Sequence, residues 1–307
     1  MKKQALVLFS YRNHRFGYIE MLFSRLSERA AGHDIELTRG SLSDLRISIR
    51  KNRLSITESL SKRRLDSFDV VYFELWYKAQ QQALAAAQYL QRKKVPYFSK
   101  ELATVMPLTK VGELAVMANH DIPLPDTFMS SHRELKKAFR RQTPPFAYPF
   151  VLKAADGYGG NNNHLVYDYE QLCSILDDNR SVIYVAQQFI PNDCDYRCLV
   201  FGGQIRLVLQ RTRATDSKSH LNNTSAGAEG RLVATESISS EARDAVLRAA
   251  AVLGREQFAG VDLMIHKDTG QPYILEVNQT PQIEIGAEIE EKIDSLLTYM
   301  KELAHGK

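Results

Sequence analysis

From Ala5 to Phe98, short apolar runs alternate with longer mixed stretches. Ala5-Leu6-Val7-Leu8-Phe9, Asp69-Val70-Val71-Tyr72-Phe73 and Val95-Pro96-Tyr97-Phe98 are strand-like runs, the first of them buried. Tyr18 to Ala31 places apolar residues at helical spacing, and Ala79 to Lys93 is rich in Ala and Gln, so a helix is predicted in each. Between them lies a polar middle, where Arg46 to Ile49 and Leu54 to Thr57 flank Lys51-Asn52-Arg53 and can pair as a hairpin. Strands alternating with helices predict a parallel α/β sheet.

A second pattern starts with a helix from Lys110 to about Asn119. The two prolines of Ile122-Pro123-Leu124-Pro125-Asp126-Thr127-Phe128 end it and favour extended chain. Pro144-Pro145 and Pro149 mark a linker, after which Phe150-Val151-Leu152-Lys153 forms a strand running into Asp156-Gly157-Tyr158-Gly159-Gly160. Further strands are predicted over Ile183 to Phe189 and Cys198 to Val208, and an amphipathic helix over Ser239 to Leu253. Gly260-Val261-Asp262-Leu263-Met264 and Tyr273-Ile274-Leu275-Glu276-Val277-Asn278 are joined through Asp268-Thr269-Gly270, which reads as a β-hairpin. The expected units are an N-terminal α/β domain (1–102), a central unit (103–184) and a C-terminal unit carrying a metal site (185–307).

Composition bounds the class without naming an activity. The 307 residues are 44% apolar and 25% charged, ordinary for a soluble globular protein. No run approaches the roughly eighteen apolar residues of a membrane span, and the start of the chain is too brief for a signal-peptide core. Cys173, Cys194 and Cys198 lack CxxC spacing, which fits a reducing compartment and predicts a cytoplasmic address. The net charge of +4 is unevenly spread: Arg46, Arg50, Lys51, Arg53, Lys62, Arg63 and Arg64 form one group, and Arg133, Lys136, Lys137, Arg140 and Arg141 another. Such groups are solvated faces or a landing place for an acidic polypeptide or nucleic acid.

Chemistry concentrates in the second half. Asp262, Glu276 and Asn278 offer oxygen ligands on adjacent strands, and the last two share a face. Two acids and an amide suit magnesium held jointly with phosphate; the plainer reading is a hairpin with solvated polar side chains. Lys153 closes a strand before a Gly-rich loop, the arrangement a phosphate site needs, although such a loop can be only a turn. The residues match neither a P-loop nor a Rossmann fingerprint. Asp195 and Arg197 share a face at a strand entrance, as a surface ion pair would. Arg211 follows an apolar strand, and Asn222-Asn223-Thr224-Ser225-Ala226-Gly227-Ala228 is a small polar loop.

Taken in order, these segments resemble the ATP-grasp superfamily, specifically its RimK-like carboxylate-amine ligases. The resemblance runs from Lys110 to Pro281, and before about Lys100 it is one of general pattern. It implies an α/β protein, α+β in its ATP-grasp part: an N-terminal parallel α/β domain, then two subdomains with the nucleotide between them. Lys110 and Lys153, with the loop glycines Gly157, Gly159 and Gly160, would hold ATP phosphates. Gln188 and Phe189 would meet the adenine, and Asp195 the ribose. Arg197, Arg211 and Asn223 would act near the transferring phosphate, and Asp262, Glu276 and Asn278 would bind Mg2+, with Mn2+ as a substitute. Gln188 stands where the family often has Glu, and the glycine loop and the polar loop also depart from the common pattern.

The activity so implied is amide formation through an acyl phosphate, from a carboxylate and an amine, with an amino acid as the expected amine. An acidic peptide or protein is a candidate acceptor, motivated by the basic group from Arg46 to Arg64. Neither nucleic acid nor membrane is an expected partner, and a homodimer or homotetramer is implied. No general base stands out, His220 being a loop histidine. Thr280 and Glu284, which follow the metal ligands, border the expected acceptor pocket; Glu284 would meet a positive amine or simply face water. The alternatives are a kinase on the same fold, or a non-catalytic nucleotide- or nucleic-acid-binding regulator.

Overall fold

In the computed structural model, which describes residues 2–11, 17–50, 53–103, 110–130, 132–141, 144–155, 162–212 and 229–306, the first apolar run becomes β1 (Lys3–Phe9). It is the middle strand of a three-stranded parallel sheet, between β2 (Ile35–Ser41) and β5 (Val70–Glu74). Alternate residues serve two cores. Ala5, Val7 and Phe9 meet Ile19, Leu22 and Leu26 of α1 (Tyr18–Ala30), whereas Leu6 and Leu8 share a core with Ala83, Ala86 and Leu90 of α2 (Gln80–Lys93). The run at Val95 to Phe98 contributes only a parallel bridge, Val71 to Tyr97. Pro96 is tolerated because it faces β5 with its carbonyl, which accepts Val71 N at 3.0 Å. The hairpin forms as expected, β3 (Arg46–Arg50) pairing with β4 (Arg53–Thr57).

The middle of the chain makes a four-stranded antiparallel sheet in the order β6-β9-β7-β8, from β6 (Thr127–Met129), β7 (Phe150–Ala154), β8 (Asn163–Val166) and β9 (Tyr184–Gln188). Its apolar side is covered by α4 (His132–Phe139) and α5 (Tyr169–Asp178), with Leu135, Phe139, Leu172 and Leu176 against Phe150, Leu152 and Ala186. Asp168 caps α5 by accepting Gln171 N at 2.8 Å. The second basic group thus begins on a helix, where Lys136 meets Asp177 at 2.7 Å.

A five-stranded antiparallel sheet follows in the order β12-β11-β10-β13-β14. Its strands are β10 (Cys194–Phe201), β11 (Gln204–Thr212), β12 (Glu229–Val233), β13 (Phe258–Ile265) and β14 (Pro272–Asn278). The run predicted over Cys198 to Val208 is therefore corrected to two strands, folded back at Gly202-Gly203. Both glycines have positive φ (63° and 73°), as a two-residue hairpin turn requires. One face of the sheet packs on α6 (Ser240–Val252) through Ala242, Ala245, Ala249 and Ala250, whose small side chains allow close approach.

Two further helices tie the parts together. α3 (Lys110–Asn119) and the turn after it bring Met117 and Ile122 into the core beneath the five-stranded sheet. α7 (Ile289–Ala304) returns to the N-terminal sheet, where Ile293, Leu296, Leu297 and Met300 join the core of Val7 and α1. β9 keeps the four-stranded sheet going to Gln188, past the expected boundary at 184/185. None of the three cysteines is in a disulfide. Among the described residues, no helix is long and apolar enough to cross a membrane.

Candidate functional site

The face of the five-stranded sheet turned away from α6 is divided. Toward the Gly202-Gly203 end it carries Leu199, Phe201, Leu209 and Phe258, buried with the N-terminal core. Toward the other end the same face carries Asp195 and Arg197 of β10, Arg211 of β11, Asp262 of β13, and Glu276 and Asn278 of β14. Register brings them together: Asp195 stands opposite Arg211, Arg197 opposite Asp262, and Asp262 opposite Glu276.

A β-bulge decides which side Glu276 faces. Pairing passes from Asp262–Glu276 to Leu263–Ile274, leaving Leu275 as the extra residue. Ile274 and Glu276, two apart, would otherwise share a face. With the bulge, Ile274 is fully buried against α6 while the Glu276 side chain keeps 39% of its exposure. Gly260 serves the site differently: a Cβ there would lie 2.9 Å from the Pro281 side chain, so the absence of a side chain lets the chain after β14 cross over β13.

Asp262 is the electrostatic centre. Arg197 donates Nε and Nη2 to its two oxygens at 2.9 and 2.8 Å, and Arg211 donates Nη2 at 3.1 Å. Burial alone would raise this carboxyl; the guanidiniums of Arg197 and Arg211 overcome it and hold the group at about 2. Arg211 also donates Nε to Asp195 at 2.6 Å. Asp195 is only 5% exposed, and burial pushes its carboxyl up to about 6 against the pull of Arg211. Expected at a ribose, it is turned to Arg211, and Arg197 pairs with Asp262 rather than with its neighbour Asp195.

The lysines approach from elsewhere. Lys153 of β7 reaches across from the four-stranded sheet, and Lys110 of α3 stands 3.8 Å from Glu276 Oε2. Burial draws the Lys153 ammonium down to about 8, with the Glu276 charge opposing. Its Nζ donates to Gln187 Oε1 at 2.7 Å, and Gln187 in turn donates to Thr127 Oγ1 at 3.2 Å. Gln188 instead exchanges hydrogen bonds with Asp126 at the strand edge, and Phe189 follows β9, half-buried. The Gly157, Gly159, Gly160, Asn223 and His220 expectations lie outside the described residues.

Two contributors were not read from the sequence. Gln187 is one; its signal was a second amide at the end of an apolar strand. Arg255 is the other. At 2% exposure it donates to Val277 O, between Glu276 and Asn278, and to Glu113 Oε1 on the helix of Lys110, each at 2.5 Å. It pins α3 to β14. The first basic group is partly used within the fold: Arg64 makes a two-point contact with Asp66, and Arg63 stacks over Phe68 at 4.0 Å.

Asp262, Glu276 and Asn278 are hard oxygen donors on neighbouring strands, a set that fits magnesium completed by phosphate and water. Asn278 Nδ2 lies 3.4 Å from Asp262 Oδ2. Among the described residues, no group of three or more His, Cys, Asp or Glu could hold a metal. Two acids and an amide would suit an ion shared with a nucleotide, and such an ion would compete with Arg197 and Arg211 for Asp262.

Residues 109–299 match the RimK-like ATP-grasp domain. N-acetylaspartylglutamate synthase A of Mus musculus is 24% identical over 288 residues, covering 89% of this chain and 73% of that protein. The ribosomal protein bS6–L-glutamate ligase of Salmonella paratyphi B is 25% identical over 267 residues, with 85% and 84% covered. Among solved structures, ATP-grasp ligase PsnB complexed with minimal precursor, Mg and ADP superposes with a TM-score of 0.69 at 13% identity, over 96% of this chain and 98% of that one. At that identity the likeness shows the fold: a parallel N-terminal sheet followed by the two lobes of an ATP-grasp protein.

Proposed function

Because the chain belongs to the RimK-like ATP-grasp family and is an ATP-dependent ligase, we propose that it joins an amino acid to a carboxylate of a peptide, protein or small molecule through an acyl phosphate. The observation that carries this reading is the convergence of Lys153, from the four-stranded sheet, and Lys110, from α3, on the acidic end of β13 and β14. Two ammonium groups brought beside a carboxylate cluster by different elements make a place for an anion together with a cation. ATP and magnesium answer that description.

In this reading Lys110 and Lys153 hold the phosphates, and Asp262, Glu276 and Asn278 hold magnesium, with manganese as a substitute. Magnesium, when bound, neutralises charge on the phosphate oxygens. Gln188 and Phe189, at the end of β9, border the adenine. Asp195 orients Arg211, so that a guanidinium fixed from behind meets the negative charge that builds as the carboxylate takes the phosphoryl group and the amine then displaces phosphate. Arg197 is fixed in the same way by Asp262. Holding the acyl phosphate beside the amine contributes on the order of 7 to 11 kcal/mol through proximity.

Both relatives carry glutamate in their names, which makes L-glutamate the first amine to try, and PsnB was solved with a precursor, which makes peptides the first carboxylates. The test is ADP release with Mg·ATP across the L-amino acids and acidic peptides, followed by mass analysis. The expected product is lighter than its two parts by one water, and the signal disappears in Glu276→Ala. ADP release that needs only one acceptor and leaves a stable phosphorylated product identifies a kinase instead.

A further inference from the structure

A second pair of carboxylates lies where the N-terminal sheet meets the catalytic lobe. Glu74 is the last residue of β5, opposite Phe9 at the end of β1, and is 2% exposed. Tyr72 donates its hydroxyl to Glu74 Oε2, and Tyr18, which begins α1, donates to Oε1 at 2.9 Å. From β1 the chain leads through α1 to β2 on one side, while β5 lies on the other with its own helix on the opposite face. Glu74 and Tyr18 thus stand at the carboxyl end of an open parallel sheet at its switch point, the crevice where such sheets bind ligands.

Glu284 enters this crevice from the other lobe, six residues after Asn278. It is 7% exposed, its neighbour Ile283 is packed into the N-terminal core, and the Tyr18 hydroxyl that bonds Glu74 also draws its carboxyl down. Its Oε2 is buried with no hydrogen-bond partner. The cations that act on it are engaged elsewhere. Lys292 of α7 donates to the carbonyls of Gln282 and Ile285 at 3.0 and 2.6 Å, and Arg197 holds Asp262 and Gln282 Oε1. Burial, and then the nearby Glu284, push the Glu74 carboxyl up to about 8; burial raises Glu284 as well. Among the described residues no guanidinium bonds to either acid; two buried acids so placed are costly to keep, and the cost falls when a cation arrives.

We propose that Glu74 and Glu284, with the Tyr18 hydroxyl between them, seat the ammonium group of the amine substrate. The inference rests on the ligase reading above and adds to it which residues select an amino acid. An ammonium brings three donors on one compact charge, matching the unpartnered Oε2 of Glu284 and the oxygens of Glu74. The segment that carries Glu284 is held by Arg197 through Gln282, so the seat is one side chain away from Asp262.

The test uses the full chain, saturating Mg·ATP and the carboxylate found active, with the twenty L-amino acids as probes. In Glu284→Gln the KM for the preferred amino acid rises about tenfold to hundredfold while the KM for Mg·ATP stays within about twofold. The 2-hydroxy acid counterpart, which lacks the ammonium, inhibits wild type and variant equally. Tyr18→Phe, which removes one hydroxyl and carries the test if Glu284→Gln does not fold, raises the same KM several-fold. Glu58→Gln, a buried acid beside Gly40 of β2, leaves it unchanged. An unchanged amino-acid KM in Glu284→Gln or Tyr18→Phe, or a parallel rise in the KM for Mg·ATP, overturns the seat. If wild type releases no ADP with any pair, the ligase reading has failed. Calorimetric binding of the same amino acids to wild type and Glu284→Gln then decides the seat: heat lost in the variant supports it, and heat that is unchanged or absent in both overturns it.

Discussion

Two groups of buried acids lie close to one another and are treated in opposite ways. Asp262 and Asp195 meet two arginines; Glu74 and Glu284 meet two tyrosines and each other. Burial raises all four. Only at Asp262 do the neighbouring charges reverse the effect, taking one carboxyl to about 2 while Glu74 rises to about 8. The depth of a carboxylate therefore says little about its charge; the partners decide. The compensated group is built to stay ionised and rigid, the uncompensated one to receive something positive.

The comparison breaks most visibly at Asp262. Asp262→Ala leaves two arginines facing each other with a buried charge unpaired, and the expected loss is about 3–5 kcal/mol in urea unfolding, with ADP formation abolished. A stability unchanged by this substitution would mean that the arginines find water or phosphate without help. Next in size is a pH effect with a different sign at each group. Glu74 titrates higher folded than unfolded, so its contribution is fully present below the ordinary glutamate range and is lost as pH rises toward about 8. Asp262 titrates lower, so its contribution is present above the ordinary aspartate range and is lost as pH falls toward about 2. Between pH 5 and 8, Glu74→Gln should flatten the decline of thermal stability expected of wild type; among the described residues, the titratable groups facing it are Tyr18, Tyr72 and Glu284. An identical decline in both proteins would place the titration elsewhere.

The smallest effect sharpens the contrast with exposed pairs. Arg29 holds Asp294 and Lys301 holds Asp34, tying α7 to the N-terminal domain at the surface. The Asp294 carboxyl is lowered by its bond to Arg29, so the tie is complete at neutral pH and fades as pH falls below the usual carboxylate range. Arg29→Ala should move the midpoint of chemical denaturation only slightly, and less in high salt.

How much of this was legible in the chain depended on whether the deciding contact was local. The hairpin of β13 and β14 was readable because apolar runs, a Gly turn and three oxygen donors sit within a short span, and the strand carrying Lys153 was readable for the same reason. The bulge at Leu275 was not, since it appears only when β14 is laid against β13. β2 escaped notice because Glu36, Thr38, Arg39 and Gly40 break its apolar pattern; as an edge strand it needs burial on one side only. The helix α4 was read as a charge group because its apolar positions, Leu135 and Phe139, sit among lysines and arginines. Gln187, Arg255 and the Glu74–Glu284 pair were invisible for one shared reason: each acts through a partner more than twenty residues distant in the chain.

The return of α7 also sets an order of events during synthesis. β1, α1 and β5 are made well before α7, yet the core they share is closed by Ile293, Leu296, Leu297 and Met300 of that helix. Until those residues emerge, Val7, Phe9 and Leu22 face solvent on one side. The N-terminal sheet is therefore completed only once α7 has been made, and until then it stays exposed to chaperones and proteases.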